Sequence, residues 1–195
     1  MTPDVPTMTD AQRIAQSRLL DPGGLAPSDL ERVFARLMGR GIDRADLYFQ
    51  HSRFESWVLE DGIVKEGSHS IEQGVGVRAI SREKTGFAYS DEIALPQLLE
   101  AAGTARAIAR SGVESPAQAL VRREGRTLYP PIDPIETLVA ADKVKLLRDI
   151  DAYARSLDAR VKQVVVSISG ALDTVLVAAS DGVLAGDVRP LVRFN

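Results

Sequence analysis

The chain has 195 residues, 45% hydrophobic and 26% charged, an ordinary globular composition that suits one average domain or two small ones. A formal net charge of −3, with basic residues scattered among acidic ones, argues against a nucleic-acid partner. The lack of cysteine excludes disulfides and thiolate metal sites, and no apolar run approaches the roughly 20 residues that a membrane helix needs.

Met1 to Asp10 carries neither the cationic flank nor the apolar core of a signal peptide, so the expected compartment is the cytoplasm. Residues 1–27, rich in Pro, Asp, Thr and Gly, predict a flexible, loosely docked arm. Ser28-Asp-Leu-Glu31 reads as a capping box, followed at helical spacing by Leu30, Val33, Phe34, Leu37 and Met38 and closed by Gly39. Two strands are expected next, one with Leu47, Phe49 and His51 on a face, the other with Glu55, Trp57 and Leu59. Asp61-Gly62 is a two-residue hairpin signal, and Ile63-Val64 begins the return strand.

Residues 72–89 stand out. Val75, Val77 and Ala79 alternate with Gly74, Gly76, Arg78 and Ile80, the period of a strand, and one of its faces is unusually bare. Ser81 to Gly86 reads as a polar connection to a second short strand, Phe87-Ala-Tyr89. A glycine inside a strand marks a bulge or a place where another backbone comes close. Leu95 to Ile108 reads as a helix with Pro96 in its first turn and a stripe of Leu98, Leu99, Ala102, Ala105 and Ile108.

Residues 112–134, with Pro130, Pro131 and Pro134, predict a linker. Asp133-Pro-Ile-Glu136 reads as the cap of a helix whose face is Leu138, Leu146, Leu147, Ile150, Tyr153 and Leu157. Strands then resume at 164–169, turn at Gly170-Ala171, continue at 175–179, and restart after Asp181-Gly182. The two Asp-Gly pairs close similar stretches, which predicts an α+β fold: an antiparallel or mixed sheet packed with helices, built from a duplicated α-β-β-β unit. The expected organisation is a first unit over 28–111 and a second over 135–195. Leu191 to Asn195 has no turn or cap behind it, so the second unit is expected to stop in mid-strand, ahead of a further domain.

Chemistry is sparse. His51 and His69 lie in no ligand-spaced cluster, so neither is assigned a metal. Gly74-Val-Gly-Val-Arg-Ala79 matches a dinucleotide fingerprint in letters but lies within a strand pattern, where no helix receives a phosphate. Glu55, Glu60, Asp61, Glu66 and Glu72 read as the solvated face of antiparallel strands, and Trp57 as core. Arg78 has two readings. Buried, it pairs with Glu55 or Glu72; exposed, it holds a peptide carboxylate or carbonyl. Gly74, Gly76 and Arg78 are thus the peptide-contact candidates, and no residue is assigned a catalytic or metal-binding role.

Four blocks carry a family resemblance: Asp46-Leu-Tyr-Phe-Gln50, Glu55-Ser-Trp-Val-Leu-Glu-Asp61, Gln73-Gly-Val-Gly-Val-Arg-Ala-Ile80 and Glu83-Lys-Thr-Gly-Phe-Ala-Tyr89. They resemble the N-terminal part of the TldD/PmbA family, the "modulators of DNA gyrase", and favour its TldD branch; Val177 to Gly182 and Asp187 to Arg193 look like a continuation in register. The resemblance implies a cytoplasmic zinc metallopeptidase that works as a heterodimer with a TldE/PmbA-like subunit on unfolded or small peptides. The family's His-Glu-x-x-x-His motif lies in a C-terminal half that this sequence does not reach. The implied role of these residues is therefore architectural, shaping a peptide-access cavity and a partner interface without membrane or nucleic acid. The alternative is a stand-alone, non-catalytic peptide- or protein-binding scaffold.

Overall fold

The computed structural model describes residues 8–110, 120–122 and 128–195. Helix α1 (Asp10–Leu19) and a 3-10 turn (Asp21–Gly23) precede α2 (Pro27–Leu37), β1 (Arg44–Glu60), β2 (Ile63–Ser81), β3 (Lys84–Ser90) and α3 (Leu95–Ala109). The short β4 (Val121–Arg122), α4 (Ala140–Leu157), β5 (Val165–Ala179) and β6 (Val183–Phe194) follow. The strands form one sheet in the order β3-β2-β1-β5-β6-β4, so the fold is α+β as the alternating patterns predict. A helix precedes a long hairpin in each half, α2 before β1–β2 and α4 before β5–β6, and a third strand, β3, follows the first of them.

Both Asp-Gly pairs do turn these hairpins. Asp61 and Gly62 have φ of 51° and 75°, the left-handed pair that a two-residue turn matched to strand twist requires. Several expected breaks are absent. β1 and β2 run unbroken through 52–54 and 65–71, and β5 passes straight through Gly170. The β2–β3 turn is only Arg82-Glu83, since Ser81 pairs with Lys84 and Gly86 already lies within β3, opposite Ala79.

The contacts divide the chain into two compact units that are not consecutive in sequence. The first takes the described residues of Met1–His51, Gln73–Leu128 and Thr174–Val188. Its core joins Leu30, Val33, Phe34 and Leu37 of α2 to Leu47 and Phe49 of β1, Val75, Val77 and Ala79 of β2, and Leu98, Ala102 and Ala105 of α3. Two local expectations change here. In place of a loose arm, residues 8–27 hold a capped helix. Gln12 N–H donates to Thr9 Oγ1 and Thr9 N–H to Gln12 Oε1, each at 3.2 Å, while Ala15, Leu19 and Leu20 are buried. The cap of α2 is two residues earlier than Ser28: Pro27 takes the first helical position and Asp29 Oδ2 accepts from Ala26 N–H at 3.0 Å.

The second unit takes Ser52–Glu72, Tyr129–Asp173 and Arg189–Asn195. Leu59, Leu147 and Val166 are its buried apolar centre, with Trp57, Val64, Ile150, Val164 and Ile168 packed around them. Asp133 does not start α4. Its Oδ1 accepts from the N–H groups of Ile135 and Glu136 at 2.8 and 3.2 Å, capping a single turn, and α4 begins only at Ala140. The buried face of α4 is also rotated from the expected one: Lys143, Leu147 and Asp151 are inside, whereas Tyr153 and Leu157 are exposed. The rotation is possible because both buried polar residues find ionic partners.

Candidate functional site

Two clusters of polar and aromatic side chains warrant description, one in each unit. In the first, β2 turns Gly74, Gly76 and Arg78 away from the buried Val75, Val77 and Ala79, as the alternation predicts. The face is less open than its glycines suggest. The ring of Phe87 lies over Gly76, so that a Cβ there would sit 3.0 Å from Phe87 Cε2, and beside Gly74 the carbonyl of Ser90 closes in. Arg78 is half-exposed and pairs with neither Glu55 nor Glu72. Its Nε and Nη2 both reach Asp46 Oδ2 at 2.8 Å, a cross-strand ion pair. Asp46 fixes the orientation of the guanidinium while leaving its other N–H donors toward solvent. Phe87 and Tyr89, paired in register with Arg78 and Gly76, are exposed beside it.

In the second unit the sheet and α4 bury a lysine. Lys143 Nζ donates to Glu55 Oε1 and to the carbonyl of Ile135, both at 2.6 Å, and only 5% of the residue is exposed. Trp57 Nε1 donates to the same Glu55 oxygen at 2.5 Å. Burial alone would raise the Glu55 carboxyl; the hydrogen bonds from Lys143 and Trp57, helped by the charges of Lys143 and His69, outweigh it and hold the group below the usual glutamate range. Because Lys143 occupies the carbonyl of Ile135, the Pro134–Thr137 turn is tied into the cluster. Arg53 adds a second tie, reaching Asp133 Oδ2 at 2.7 Å and Glu136 Oε1 at 3.0 Å. Glu55, Trp57, Ile135, Lys143, Ser169 and Gly170 help line a cavity of about 20 Å³, space for roughly one water molecule.

The acidic series therefore does not act as one solvated face, since Glu55 is partly buried and pairs with the buried Lys143. His51, on the strand face it shares with Leu47 and Phe49, is buried with them. Lys143 is absent from the sequence-based candidates, although a signal exists: it lies one turn before Leu147 on what proves to be the buried stripe. Neither cluster has the geometry of a hydrolytic centre. Among the described residues no three His, Asp or Glu side chains converge as metal ligands, and no step is assigned to a metal here.

Comparison with known proteins places this geometry. Residues 45–109 match the family model for PmbA/TldA metallopeptidase domain 1, and residues 133–195 match that for the PmbA/TldA metallopeptidase central domain. A metalloprotease TldD homolog of Haemophilus influenzae is 48% identical over 181 residues, covering 91% of this chain and 37% of the relative. One of Buchnera aphidicola subsp. Schizaphis graminum is 42% identical over 154 residues, 79% of this chain and 32% of the relative. The chain thus spans about a third of the length of the curated relatives it matches. Among solved structures, a candidate modulator of a DNA gyrase from Thermotoga maritima superposes with a TM-score of 0.64 at 16% identity, over 86% of this chain and 38% of that one. TldE from Thermococcus kodakarensis gives 0.59 at 18% identity, over 92% and 38%. At such identities these two likenesses speak for the fold alone.

Proposed function

The chain belongs to the PmbA/TldD metallopeptidase family, and from that premise we propose that it forms the first and central domains of a TldD-like zinc peptidase. The observation that carries the reading is the pair of consecutive family domains, spanning residues 45–109 and 133–195, in a chain closely related to proteins named metalloproteases. In this reading the substrates are unfolded or small peptides, the partner is a TldE/PmbA-like subunit, and the compartment is the cytoplasm. In the parent enzyme a bound zinc would supply Lewis-acid chemistry, and no residue described above is assigned to hold it.

The residues described above contribute structure to that reaction. The Lys143–Glu55–Trp57 cluster and the Arg53–Asp133 pair fix the Pro134–Thr137 turn of the central domain. The Gly74–Gly76–Arg78 face, with its pre-oriented guanidinium, is the proposed peptide contact: the Arg78 donors not taken by Asp46 suit a peptide carbonyl or carboxylate.

The test compares this chain with the full-length parent and with an added TldE-like subunit, using an unstructured fluorogenic peptide. The expected outcome is chelator-sensitive cleavage by the full assembly and none by the 195-residue chain. Stoichiometric zinc together with chelator-sensitive cleavage by the chain alone would overturn the assignment of a non-catalytic role. A parent reading frame without His-Glu-x-x-x-His would overturn the peptidase reading itself.

A further inference from the structure

We propose that the end of the first unit where α2, α3 and the β2–β3 turn come together is a docking surface for an acidic segment of a protein partner. Six cations are carried there by separate stretches of chain: Arg36 and Arg40 at the end of α2, Arg82 and Lys84 at the β2–β3 turn, and Arg106 and Arg110 at the end of α3. Specific contacts hold these stretches together. Arg106 Nη1 donates to the carbonyl of Arg36 at 3.2 Å, and the Arg106 guanidinium lies where a side chain on Gly39 would be. Reciprocally, the Arg36 guanidinium lies over Gly103 of α3. The last turn of α3 meets β3 at Gly86, directly against Ala105 and Ala109. Asp43, just ahead of β1, accepts from the backbone N–H of Arg82 at 2.5 Å and donates its own N–H to the carbonyl of Ile80.

Arg106 is half-buried and the other five are exposed. None of the six forms an ion pair with a carboxylate among the described residues. The carboxylates of Asp43 and Glu83 lie at the same end, so cations dominate it in a chain whose net charge is −3. A concentration of one sign against the net charge gives a local field that attracts carboxylates. Arg36 and Arg106 are already held by packing against the opposite helix, so their planar forks lose less freedom on pairing with a carboxylate than free side chains would.

The length of the partner's anionic stretch separates the possible ligands. A short acidic segment meets only this patch. A nucleic acid or an anionic membrane extends beyond it and meets a chain that is acidic overall, and none of the six positions offers an aromatic ring for base stacking. The partner is therefore read as a protein segment rich in Asp and Glu. The inference does not depend on the peptidase reading, since such a segment could belong to a subunit or to a substrate.

The experiment titrates the 195-residue chain into a fluorescein-labelled glutamate-rich peptide and follows anisotropy at low and physiological salt. The double variant Arg40→Gln/Lys84→Gln, both surface positions, should weaken binding roughly tenfold or more, as should Arg36→Gln/Arg106→Gln. Salt should weaken binding by the wild-type chain, while Arg13→Gln/Arg18→Gln, exposed basic positions of α1 outside the patch, should leave it unchanged. Circular dichroism checks that each variant is folded; if Arg36→Gln/Arg106→Gln is not, the Arg40/Lys84 pair decides. Unchanged binding in the folded patch variants would overturn the proposal. So would tighter binding of a single-stranded oligonucleotide or of anionic vesicles through the same residues, which would reassign the surface.

Discussion

Gly76 and Gly86 belong to one hairpin, yet their neighbours differ in a way that sets opposite expectations for substitution. Over Gly76 lies the ring of Phe87, itself 57% exposed and able to swing aside. Gly76→Val therefore exchanges a displaced surface ring for a better strand former, and the urea midpoint should change by the equivalent of about 1 kcal/mol or less. A loss several times larger would show that the ring is held in place. Lys143 is the sensitive single residue of the second unit. Lys143→Ala leaves a partly buried Glu55 charged and without its main partner, and the expected loss is about 1–3 kcal/mol in chemical unfolding. The pair also makes stability depend on pH. The Glu55 carboxyl is lowered on folding from its ordinary value of 4.5, so its contribution is complete above that value and disappears as pH falls through the folded value. The stability gap between the wild type and Glu55→Gln should accordingly be widest near neutrality and shrink below about pH 4.5; a gap that grew on acidification would contradict the ion-pair geometry.

At the scale of elements, α3 rests on β3 through the smallest side chains available. A Cβ on Gly86 would collide with the carbonyl of Ala105 and come within 2.8 Å of the amide nitrogen of Ala109. Backbone cannot rotate away as a ring can, so Gly86→Ala must lift the helix from the strand. The expected destabilisation is about 1–3 kcal/mol, with the backbone amide signals of α3 shifting in two-dimensional NMR. A folded variant with an unmoved α3 would refute this account of the contact. Sequence alone identified glycines as sites of close approach but chose Gly74 and Gly76, because they alternate visibly with valines. Gly86 looked like a turn residue, since the position of the β2–β3 turn depends on the register with which Ser81 meets Lys84. The same reasoning explains α1. Its Thr9-Gln12 cap is present in the sequence, but a short polar helix is recognisable only once Gly186 of β6 is seen to admit it, with Ala15 Cβ about 2.9 Å from where a Gly186 side chain would begin.

For the molecule as a whole, the decisive expectation is that these residues alone do not cleave peptides, and that a TldE-like subunit co-purifies with the full-length parent. Chelator-insensitive cleavage by the parent would remove the metal from the proposal, whereas failure to co-purify would remove only the partner. What the sequence determined by itself was part of what spacing along the chain carries, since the face of α4, read from the same kind of spacing, came out rotated. The faces of β2, the core stripe of α2, most of that of α3 (Ile108 is exposed and Ala109 buried in its place), the two Asp-Gly turns and the family blocks all depend on residues within a few positions of one another, where backbone geometry fixes which side chains share a side. Tertiary structure alone decided the partners: Asp46 for Arg78, Glu55 for Lys143 across a separation of 88 residues, and the meeting of six scattered cations at one end of a unit. Charge acts through space, so these pairings existed only after the strands had found their order.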